Sequence, residues 1–422
     1  MSVEEQAKTL AVRARAASSV MSTATAAQKD DALMRVAALL VGERQGGLLQ
    51  KNALDLEEGR RAGLSLAMLD RLLLDEKRLQ ALAAAVREIV ALPDPVGRIN
   101  ELTTRPSGIQ VGRMQVPLGV VLIVYESRPN VTVDAAALCL KAGNAVILRG
   151  GKEAVHTNTA LAALVGDALA GAGLPRDGAV FVESTERELL YALLRRSHEI
   201  DLAIPRGGTS LIDAVNEHAR VPVIQHYQGI CHVYVHEGAD LAVAERVLLN
   251  AKVSRPGVCN ATECLLVDAA VAPAFLPPAV ARLRQAGVEV RGCERSRALV
   301  SDVVAASEND FDTEFLNLVL AVKVVDDFED ALRFLSAHGS RHTESIVTND
   351  HALAMRFLRE VDASCVLVNA STRFNDGGEL GLGAELGIST SKLHAYGPMG
   401  LQELCTRKFV VFGHGETRGS PP

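Results

Sequence analysis

The chain has 422 residues, a mass of 44.9 kDa, 48% hydrophobic residues and 23% charged residues, a composition typical of soluble globular proteins that excludes disorder as the main state. This length predicts two or three domains, with a core large enough to need neither disulfides nor a metal. A formal net charge of −7, with only 5 tyrosines, 10 phenylalanines and no tryptophan, argues against binding of nucleic acid.

The first 97 residues are predicted to be helical. Apolar residues recur at three- and four-residue spacing through 27–40 and 73–92. In residues 98–116 apolar and polar residues are mixed on both sides of a Pro106-Ser107-Gly108 turn, which predicts a β-hairpin. Because a two-stranded hairpin is only marginally stable alone, we expect it to pair with another sheet, such as one in a second subunit.

From Gly119 onward, short apolar strands alternate with helices, a pattern typical of doubly wound, mainly parallel sheets. We predict strands at 120–125, 145–148, 179–182, 201–204, 221–224, 232–235, 264–267, 318–325, 345–347 and 365–368. We predict helices near 133–142, 157–170, 186–194, 242–249 and 278–284, and one after Gly208. Two α/β sheets of similar size fit this length better than one large sheet, and residues 369–387 are predicted to be a loop.

Two glycine turns resemble each other. Arg149-Gly150-Gly151-Lys152 and Arg206-Gly207-Gly208-Thr209 each follow a predicted strand and precede a predicted helix. Glycines allow a tight turn, and the N–H groups at a helix N-terminus can bind an anion. Two copies, each with an arginine, favour a phosphate or nucleotide site, although the chain has neither a GxGxxG after a strand nor a P-loop.

Among the seven cysteines, Cys259 is the candidate nucleophile. It lies in a predicted turn between a helix and a strand, where Pro256 and Gly257 end the helix and Arg255 brings a positive charge that favours the thiolate. We interpret the following cysteines as core residues: Cys139 and Cys405 on predicted helices, and Cys264 and Cys365 in strands. Cys231 and Cys293 have no context that supports a reactive role.

The remaining features predict a cytoplasmic protein without a metal. The cysteines are odd in number and include no C-x-x-C pair, which argues against a disulfide framework or a zinc finger. No group of histidines has the spacing of metal ligands. The longest apolar runs are far shorter than the roughly 18 residues of a membrane span, and the charged N-terminus is unlike a secretory signal, so we expect no membrane association.

Seven segments carry a resemblance to a known family over nearly the whole chain. They resemble the gamma-glutamyl phosphate reductases, also called glutamate-5-semialdehyde dehydrogenases, a branch of the aldehyde dehydrogenase superfamily. The segments are Tyr125–Asp134, Leu140–Gly151, Ile204–Gly208, Gly229–Val235, Arg255–Asn260, Val368–Phe374 and Gly377–Ser391.

The resemblance implies an α/β, aldehyde dehydrogenase-like fold with two doubly wound α/β domains and a small β oligomerisation arm. The implied domains are a nucleotide (NADP)-binding domain at 1–97 and 117–225, a catalytic domain with Cys259 at 226–387, the arm at 98–116 and 388–415, and a tail at 416–422. The arm would combine the hairpin with a strand around 408–412.

The implied reaction is the NADPH-dependent reduction of L-glutamate 5-phosphate to L-glutamate 5-semialdehyde with release of phosphate, the second step of proline biosynthesis. Cys259 would attack the acyl phosphate and form a thioester. The backbone N–H of Cys259 would donate to the oxyanion, and Ser127 and Asn130 stand where the superfamily has its asparagine donor. His226 replaces the superfamily glutamate that activates water, so we expect alanine at 226 to slow reduction far less than alanine at 259.

The resemblance also implies binding residues. Arg149, Gly150 and Lys152 would lie near the 2′-phosphate of NADP, Gly207 and Gly208 near the pyrophosphate, and Glu314 at the nicotinamide ribose. A substrate with two anionic groups calls for arginines. The substrate-binding candidates are Arg128, Arg255, Asn369, Ser371, Thr372 and Arg373, and which arginine meets which group stays open.

Three alternatives remain open from the sequence. One is a related acyl-phosphate or aldehyde oxidoreductase with a different substrate pocket. A second is a cysteine hydrolase or acyltransferase with Cys259 and a histidine, which would turn over without nicotinamide. A third is a nucleotide-binding protein without activity. We expect a homo-oligomer, and a transient contact with a glutamate kinase that hands over the acyl phosphate is left open.

Overall fold

The computed structural model describes residues 1–225 and 228–419. The chain divides into two compact units. Unit 1 comprises Met1–Gln225, Leu382–Gly387 and Met399–Pro422, and unit 2 comprises His226–Gly381 and Ile388–Pro398. Of the segment predicted as part of the arm, residues 388–398 therefore fall in unit 2 and residues 399–415 in unit 1.

The N-terminal part of unit 1 is helical, as predicted. Side-chain caps define several helix starts: Ser2 and Thr25 form capping boxes, and Asp75 accepts the backbone N–H of Arg78. The apolar periodicity noted over 73–92 corresponds to the helix that this cap starts. The helices are α1 (Val3–Met21), α2 (Ala26–Val41), α3 (Gln45–Arg61), α4 (Leu66–Leu72) and α5 (Glu76–Ala91).

A four-stranded parallel sheet forms the centre of unit 1, in the order β5-β4-β3-β6. Its strands are β3 (Val120–Tyr125), β4 (Ala145–Arg149), β5 (Ala179–Phe181) and β6 (Leu202–Arg206). The helices that follow them are α6 (Asn130–Lys141), α7 (Val155–Gly171), α8 (Arg187–Leu194) and α9 (Thr209–His218). Every residue of β3 is buried, as expected for a sheet covered on both faces.

The predicted strand at 221–224 was wrong. Only Val223 forms an isolated bridge, to Ala203. Pro222 lies within this segment and has no backbone N–H to donate to a ladder, which limits the pairing to a single residue.

The predicted hairpin is confirmed and pairs within the chain. Strand β1 (Ile99–Thr104) runs antiparallel to β2 (Gln110–Pro117), and β2 pairs along its length with β16 (Cys405–Phe412). Cys405 therefore begins a strand, and its predicted place on a helix was wrong. Phe409, Val411 and Phe412 of β16 are at least half exposed, and β1 is exposed throughout.

Unit 2 is built on a seven-stranded parallel sheet in the order β10-β9-β11-β8-β7-β12-β13. The strands are β7 (Cys231–Val235), β8 (Thr262–Asp268), β9 (Glu289–Gly292), β10 (Val304–Ala305), β11 (Val319–Val325), β12 (Thr343–Val347) and β13 (Cys365–Val368). Unit 2 also contains a separate two-stranded antiparallel sheet, formed by β14 (Ile388–Ser389) and β15 (Gly397–Pro398). Successive residues of strands in the seven-stranded sheet belong alternately to two apolar clusters. An apolar core therefore packs on each face of this sheet.

The helices of unit 2 include three that the sequence pattern missed. They are α10 (Leu241–Val253), α11 (Ala272–Gln285), α12 (Glu294–Leu299), α13 (Phe328–His338) and α14 (His351–Glu360). Helix α12 and strands β9 and β10 are short, which leaves little pattern in the sequence. Helix α13 buries Phe328, Ala331, Phe334 and Leu335 at helical spacing, a signal that the sequence analysis overlooked.

The described part of the chain contains neither a membrane-spanning helix nor a cluster of metal ligands. None of its helices is both long and apolar enough to span a lipid bilayer. No three of its histidine, cysteine, aspartate and glutamate side chains come together as metal ligands.

Candidate active site

Cys259 lies in a turn that connects α10 to β8. The N–H of Ala261 donates to the carbonyl of Val258 at 3.0 Å, which closes a turn with Cys259 and Asn260 as its central residues. Cys259 is partly exposed, whereas Cys139, Cys231, Cys264 and Cys405 are buried. Cys293 and Cys365 are also partly exposed. The predicted nucleophile therefore belongs to a partly exposed residue on a short turn between two regular elements.

The segment before β7 packs against the backbone of this turn. The Cys231 thiol donates to the carbonyl oxygen of Cys259, with 3.1 Å between sulfur and oxygen. A Cβ on Gly229 would lie 2.8 Å from the Cys259 carbonyl carbon and 2.9 Å from its Cα, and would overlap the carbonyl oxygen. Only glycine allows this approach at position 229. Sequence analysis missed Cys231, although the pattern Gly229-Ile-Cys231 lies within a segment of the resemblance.

Buried side chains hold the other side of the turn. Asn260 donates through Nδ2 to the carbonyl of Asn375 at 2.9 Å, and Asn375 Nδ2 donates to Thr343 Oγ1 at 2.8 Å. His342 Nδ1 lies 2.7 Å from Thr343 Oγ1 and 3.4 Å from Cys231 Sγ. This chain of contacts starts on Asn260 and returns to Cys231, so it encloses the peptide group that joins Cys259 to Asn260.

A buried ion pair joins the two elements that flank the turn. Lys252, near the end of α10, pairs with Glu263 in β8, and both side chains are at most 1% exposed. Glu263 also accepts the N–H of Leu316 at 3.1 Å. Burial raises the pKa of Glu263 to about 7 and lowers the pKa of Lys252. The pair therefore ties the two ends of the Cys259 turn to the segment that contains Glu314.

Glu314, predicted to bind the nicotinamide ribose, lies beside the same glycine as Cys259. Its carboxylate accepts the backbone N–H of Gly229, and burial raises its pKa. Glu314 and Cys259 therefore both contact Gly229.

The predicted substrate residues of the 369–374 segment have different surroundings. Asn369 has a left-handed backbone with φ 55°, and its amide bonds both the N–H and the carbonyl of Thr348 at 2.9 Å. Ser371 Oγ accepts the N–H of Arg373 at 3.3 Å. Thr372 Oγ1 is buried and finds no hydrogen-bond partner among the described residues. Asn369 is therefore occupied with the backbone, while Thr372 keeps an unused polar atom.

Arg373 lines a cavity of about 280 Å³ next to the start of the Cys259 turn. The other lining residues are Asn250, Ser254, Phe374, Asp376 and Glu379. Arg255 and, in unit 1, Arg128 are exposed. Arg373 thus lines an open cavity, which it shares with two carboxylates that sequence analysis did not select.

In unit 1 the predicted oxyanion residue Ser127 and the predicted cofactor residues lie at the carboxyl ends of parallel strands. Ser127 follows β3, Gly150 and Lys152 follow β4, and Gly207 and Gly208 follow β6. The chain proceeds from β3 outward to β4 and β5, then returns to pair β6 with the other side of β3. Open α/β sheets bind ligands at the carboxyl edge where the strand order reverses in this way. The sheet therefore gathers both glycine turns at one edge.

Two carboxylates, Glu126 and Glu153, hold these turns, and sequence analysis missed both. Glu126 accepts the N–H of Gly208, the N-cap residue of α9, at 3.0 Å, and a Cβ on Gly207 would overlap its carboxylate. Glu153 accepts the backbone N–H of Ser127 at 2.7 Å and its hydroxyl at 2.5 Å. Their positions directly beside Ser127 and Lys152 in the sequence were the available signal.

The side chains of the predicted oxyanion donors Ser127 and Asn130 are already hydrogen-bonded within unit 1. Ser127, with φ 33°, bonds Glu153, and Asn130 Nδ2 donates to Asp134 at 2.9 Å. His226, at the position of the superfamily base, lies outside the described residues.

The basic end of β4 fits a phosphate-bearing ligand. Arg149 is partly buried, which lowers its pKa, and its Nη2 donates to the carbonyl of Thr185 at 3.0 Å. Its Nε is buried and unmatched by any acceptor in the described part of the chain. Lys152 is exposed, and a Cβ on Gly150 would overlap the side chain of Asn158. An unused guanidinium N–H beside a glycine turn and an exposed lysine provides donors for a phosphate.

Comparisons with known proteins agree with this architecture. The model of the aldehyde dehydrogenase family matches residues 1–297. A gamma-glutamyl phosphate reductase of Geobacter metallireducens is 51% identical over 418 residues, covering 99% of this chain and 100% of the relative. One from Solidesulfovibrio magneticus is 54% identical over 420 residues, with the same coverage.

Solved structures match as well. A crystal structure of gamma-glutamyl phosphate reductase from Thermotoga maritima superposes with a TM-score of 0.96 at 43% identity, over 98% of this chain and 100% of that one. An acetylating aldehyde dehydrogenase from Geobacillus thermoglucosidasius, 18% identical, superposes with a TM-score of 0.70 over 100% of this chain and 98% of that one, and shares the fold.

Proposed function

The chain belongs to the aldehyde dehydrogenase family, in its gamma-glutamyl phosphate reductase branch, and from this premise we propose that it reduces L-glutamate 5-phosphate to L-glutamate 5-semialdehyde with release of phosphate. This is the second step of proline biosynthesis from glutamate. The observation that carries the proposal is the partly exposed Cys259 on a turn whose backbone packs against Gly229 and Cys231. Relatives that match over the full chain support the choice of substrate.

The first chemical step is acyl transfer to the thiol. The Cys259 thiolate attacks the carbonyl carbon of the acyl phosphate, a C–S bond forms, the C–O bond to phosphate breaks, and phosphate leaves with the bonding electrons. The negative charge that develops on the carbonyl oxygen requires hydrogen-bond donors. The Cys259 backbone N–H is one proposed donor, and Ser127 and Asn130 remain proposals for a second.

The second step is reduction of the thioester. A reduced nicotinamide cofactor, when bound, supplies the hydride that converts the thioester carbon to the aldehyde level. The C–S bond then breaks and regenerates the Cys259 thiolate. We propose NADPH as the cofactor, because Arg149 and Lys152 offer donors for a 2′-phosphate. Gly150, Gly207 and Gly208 would face the phosphates, and Glu314 would accept a hydrogen bond from the nicotinamide ribose.

For the substrate we propose Arg373, with its cavity of about 280 Å³, as the main anion-binding residue. Arg128, Arg255, Ser371 and Thr372 are further candidates, and Thr372 contributes a buried hydroxyl with no partner among the described residues. Asn369 would act through the backbone that it holds rather than through its amide.

We also propose that the chain assembles into a homo-oligomer and works in the cytoplasm. The predicted arm supports assembly, because Phe409, Val411 and Phe412 leave apolar surface exposed on β16. A transient contact with a glutamate kinase remains a proposal without a structural feature of its own.

The reaction is tested in reverse, which avoids the unstable acyl phosphate. The protein is incubated with glutamate 5-semialdehyde, phosphate and NADP or NAD, and the absorbance of the reduced nicotinamide is followed. We expect turnover that requires phosphate, runs faster with NADP, and disappears in Cys259→Ser. Cys365→Ser, which changes another partly exposed cysteine of unit 2, is the matched control and should stay active.

Two results would contradict the proposal. Oxidation of the aldehyde without phosphate would identify an ordinary aldehyde dehydrogenase. Thiol-dependent hydrolysis of acyl esters without any nicotinamide would identify a cysteine hydrolase.

A further inference from the structure

The orientation of the peptide group between Cys259 and Asn260 is fixed from one side. Its carbonyl oxygen accepts the Cys231 thiol at 3.1 Å and packs against Gly229, where no Cβ fits. Because a trans peptide directs its C=O and N–H in opposite directions, the N–H of Asn260 points away from Cys231 and Gly229.

This N–H has no acceptor among the described residues, although Asn260 is only 4% exposed. The neighbouring Ala261 N–H, by contrast, is used to close the turn on Val258 at 3.0 Å. Buried backbone N–H groups are almost always paired, so an unmatched one next to a nucleophile indicates a partner that arrives with the reaction.

The geometry points to the backbone N–H of Asn260 as an oxyanion donor, with Cys231 as the residue that positions it. The donor belongs to the residue after the nucleophile, so covalent geometry keeps it close to the carbon that becomes bonded to Cys259 Sγ. It would bind the negative oxygen of each tetrahedral intermediate, while Cys231 prevents the peptide group from turning over. This assignment rests on the proposed function, because only an acyl-transfer reaction develops that oxyanion.

The surrounding contacts restrict the same peptide from its other end. Asn260 is held through its side chain by the carbonyl of Asn375, and Cys231 is held by His342 Nδ1 at 3.4 Å. The Cys231 sulfur is fully buried, and burial raises its pKa well above its usual value, so it stays protonated and keeps the hydrogen that it donates.

The test compares Cys231→Ala with Cys231→Ser. Alanine removes the donor, and serine restores one at nearly the same place. We expect kcat to fall roughly 10- to 100-fold in Cys231→Ala, less than the ~10²–10³ of deleting an oxyanion donor outright, with KM changed less than about threefold. Serine should recover kcat to within about fivefold of the unmodified enzyme. Cys365→Ala, a partly exposed thiol on β13, is the control and should change neither parameter.

A second measurement separates positioning from structural damage. Alkylation of Cys259 by iodoacetamide needs an accessible thiolate but forms no oxyanion, so its rate and pH profile, followed by mass spectrometry of the Cys259 peptide, should stay within about twofold in Cys231→Ala. A Cys231→Ala enzyme with unchanged kcat would overturn the inference. So would a parallel fall of kcat and alkylation, or a serine variant as slow as alanine. Absence of phosphate-dependent turnover in the unmodified enzyme would instead overturn the proposed function.

Discussion

Replacing Gly229 with alanine tests whether the close approach behind Cys259 is essential. The added Cβ would lie 2.8 Å from the Cys259 carbonyl carbon and 2.9 Å from its Cα, where ordinary contacts begin at 3.4 Å, and it would overlap the carbonyl oxygen. These are backbone atoms that cannot rotate away. The Cys259 turn must therefore move by at least about half an ångström, and by more at the oxygen.

The magnitude follows from that displacement. A misplacement of about 1 Å in a reacting group costs about 100-fold in rate. We therefore expect kcat to fall about 100-fold, which corresponds to about 2.7 kcal/mol of transition-state stabilisation. Overpacking costs about 1–3 kcal/mol of folding stability, partly offset by the smaller entropy of the unfolded chain with alanine.

The assay is the phosphate-dependent reduction of NADP by glutamate 5-semialdehyde, together with urea unfolding of the same preparations. Gly257→Ala, directly before the same turn, is the matched control, because among the described residues a Cβ there meets only the Leu316 carbonyl oxygen at 3.7 Å. It should keep kcat within about twofold. If Gly229→Ala retained more than a third of the normal kcat while remaining folded, the steric reasoning would be refuted.

Three further predictions concern other parts of the molecule. Lys252→Met leaves the buried Glu263 unpaired and should lower the unfolding free energy by about 3–5 kcal/mol. The double variant that also carries Glu263→Gln should lose less unfolding free energy. Urea titration measures both variants. Burial raises the pKa of Asp134 to about 6, so the native state binds its proton more tightly than the unfolded chain, and stability should fall as pH rises from about 4 to 6. The expected fall in unfolding free energy is less than about 3 kcal/mol, and Asp134→Asn should remove it. Equal slopes of unfolding free energy against pH in the variant and the parent would contradict the assignment. Arg149→Gln should raise KM for NADPH at least about tenfold and leave KM for NADH nearly unchanged; equal effects on the two cofactors would refute a 2′-phosphate contact.

Much of the architecture could be predicted because local burial leaves a local pattern. The fully buried strand β3 appears in the sequence as a continuous apolar run, and β7 and β8 contain shorter ones at 233–235 and 264–267. The glycine turns after β4 and β6 mark where the chain leaves the sheet. Helices α13 and α14 were overlooked although their apolar residues have helical spacing, and the segment around Pro222 was misjudged.

The residues of the candidate site also differ in how far the sequence could predict them. Cys259 could be selected from its own neighbours, because a helix-breaking Pro-Gly pair and an arginine surround it in the sequence. Cys231 could not, because its role depends on a hydrogen bond to a carbonyl 28 residues away. The same holds for Glu126 on Gly208, 82 residues away.

The sequence by itself therefore predicted most of the strands and helices, the two glycine turns and a candidate nucleophile, since each of these depends on residues adjacent in the chain. The tertiary structure alone decided which groups hold them: Gly229 and Cys231 behind Cys259, Glu314 on the N–H of Gly229, and Glu153 on Ser127. The physical reason is that hydrogen bonds and close backbone contacts act over a few ångströms of space, and their spacing along the chain is unconstrained until the sheets have formed.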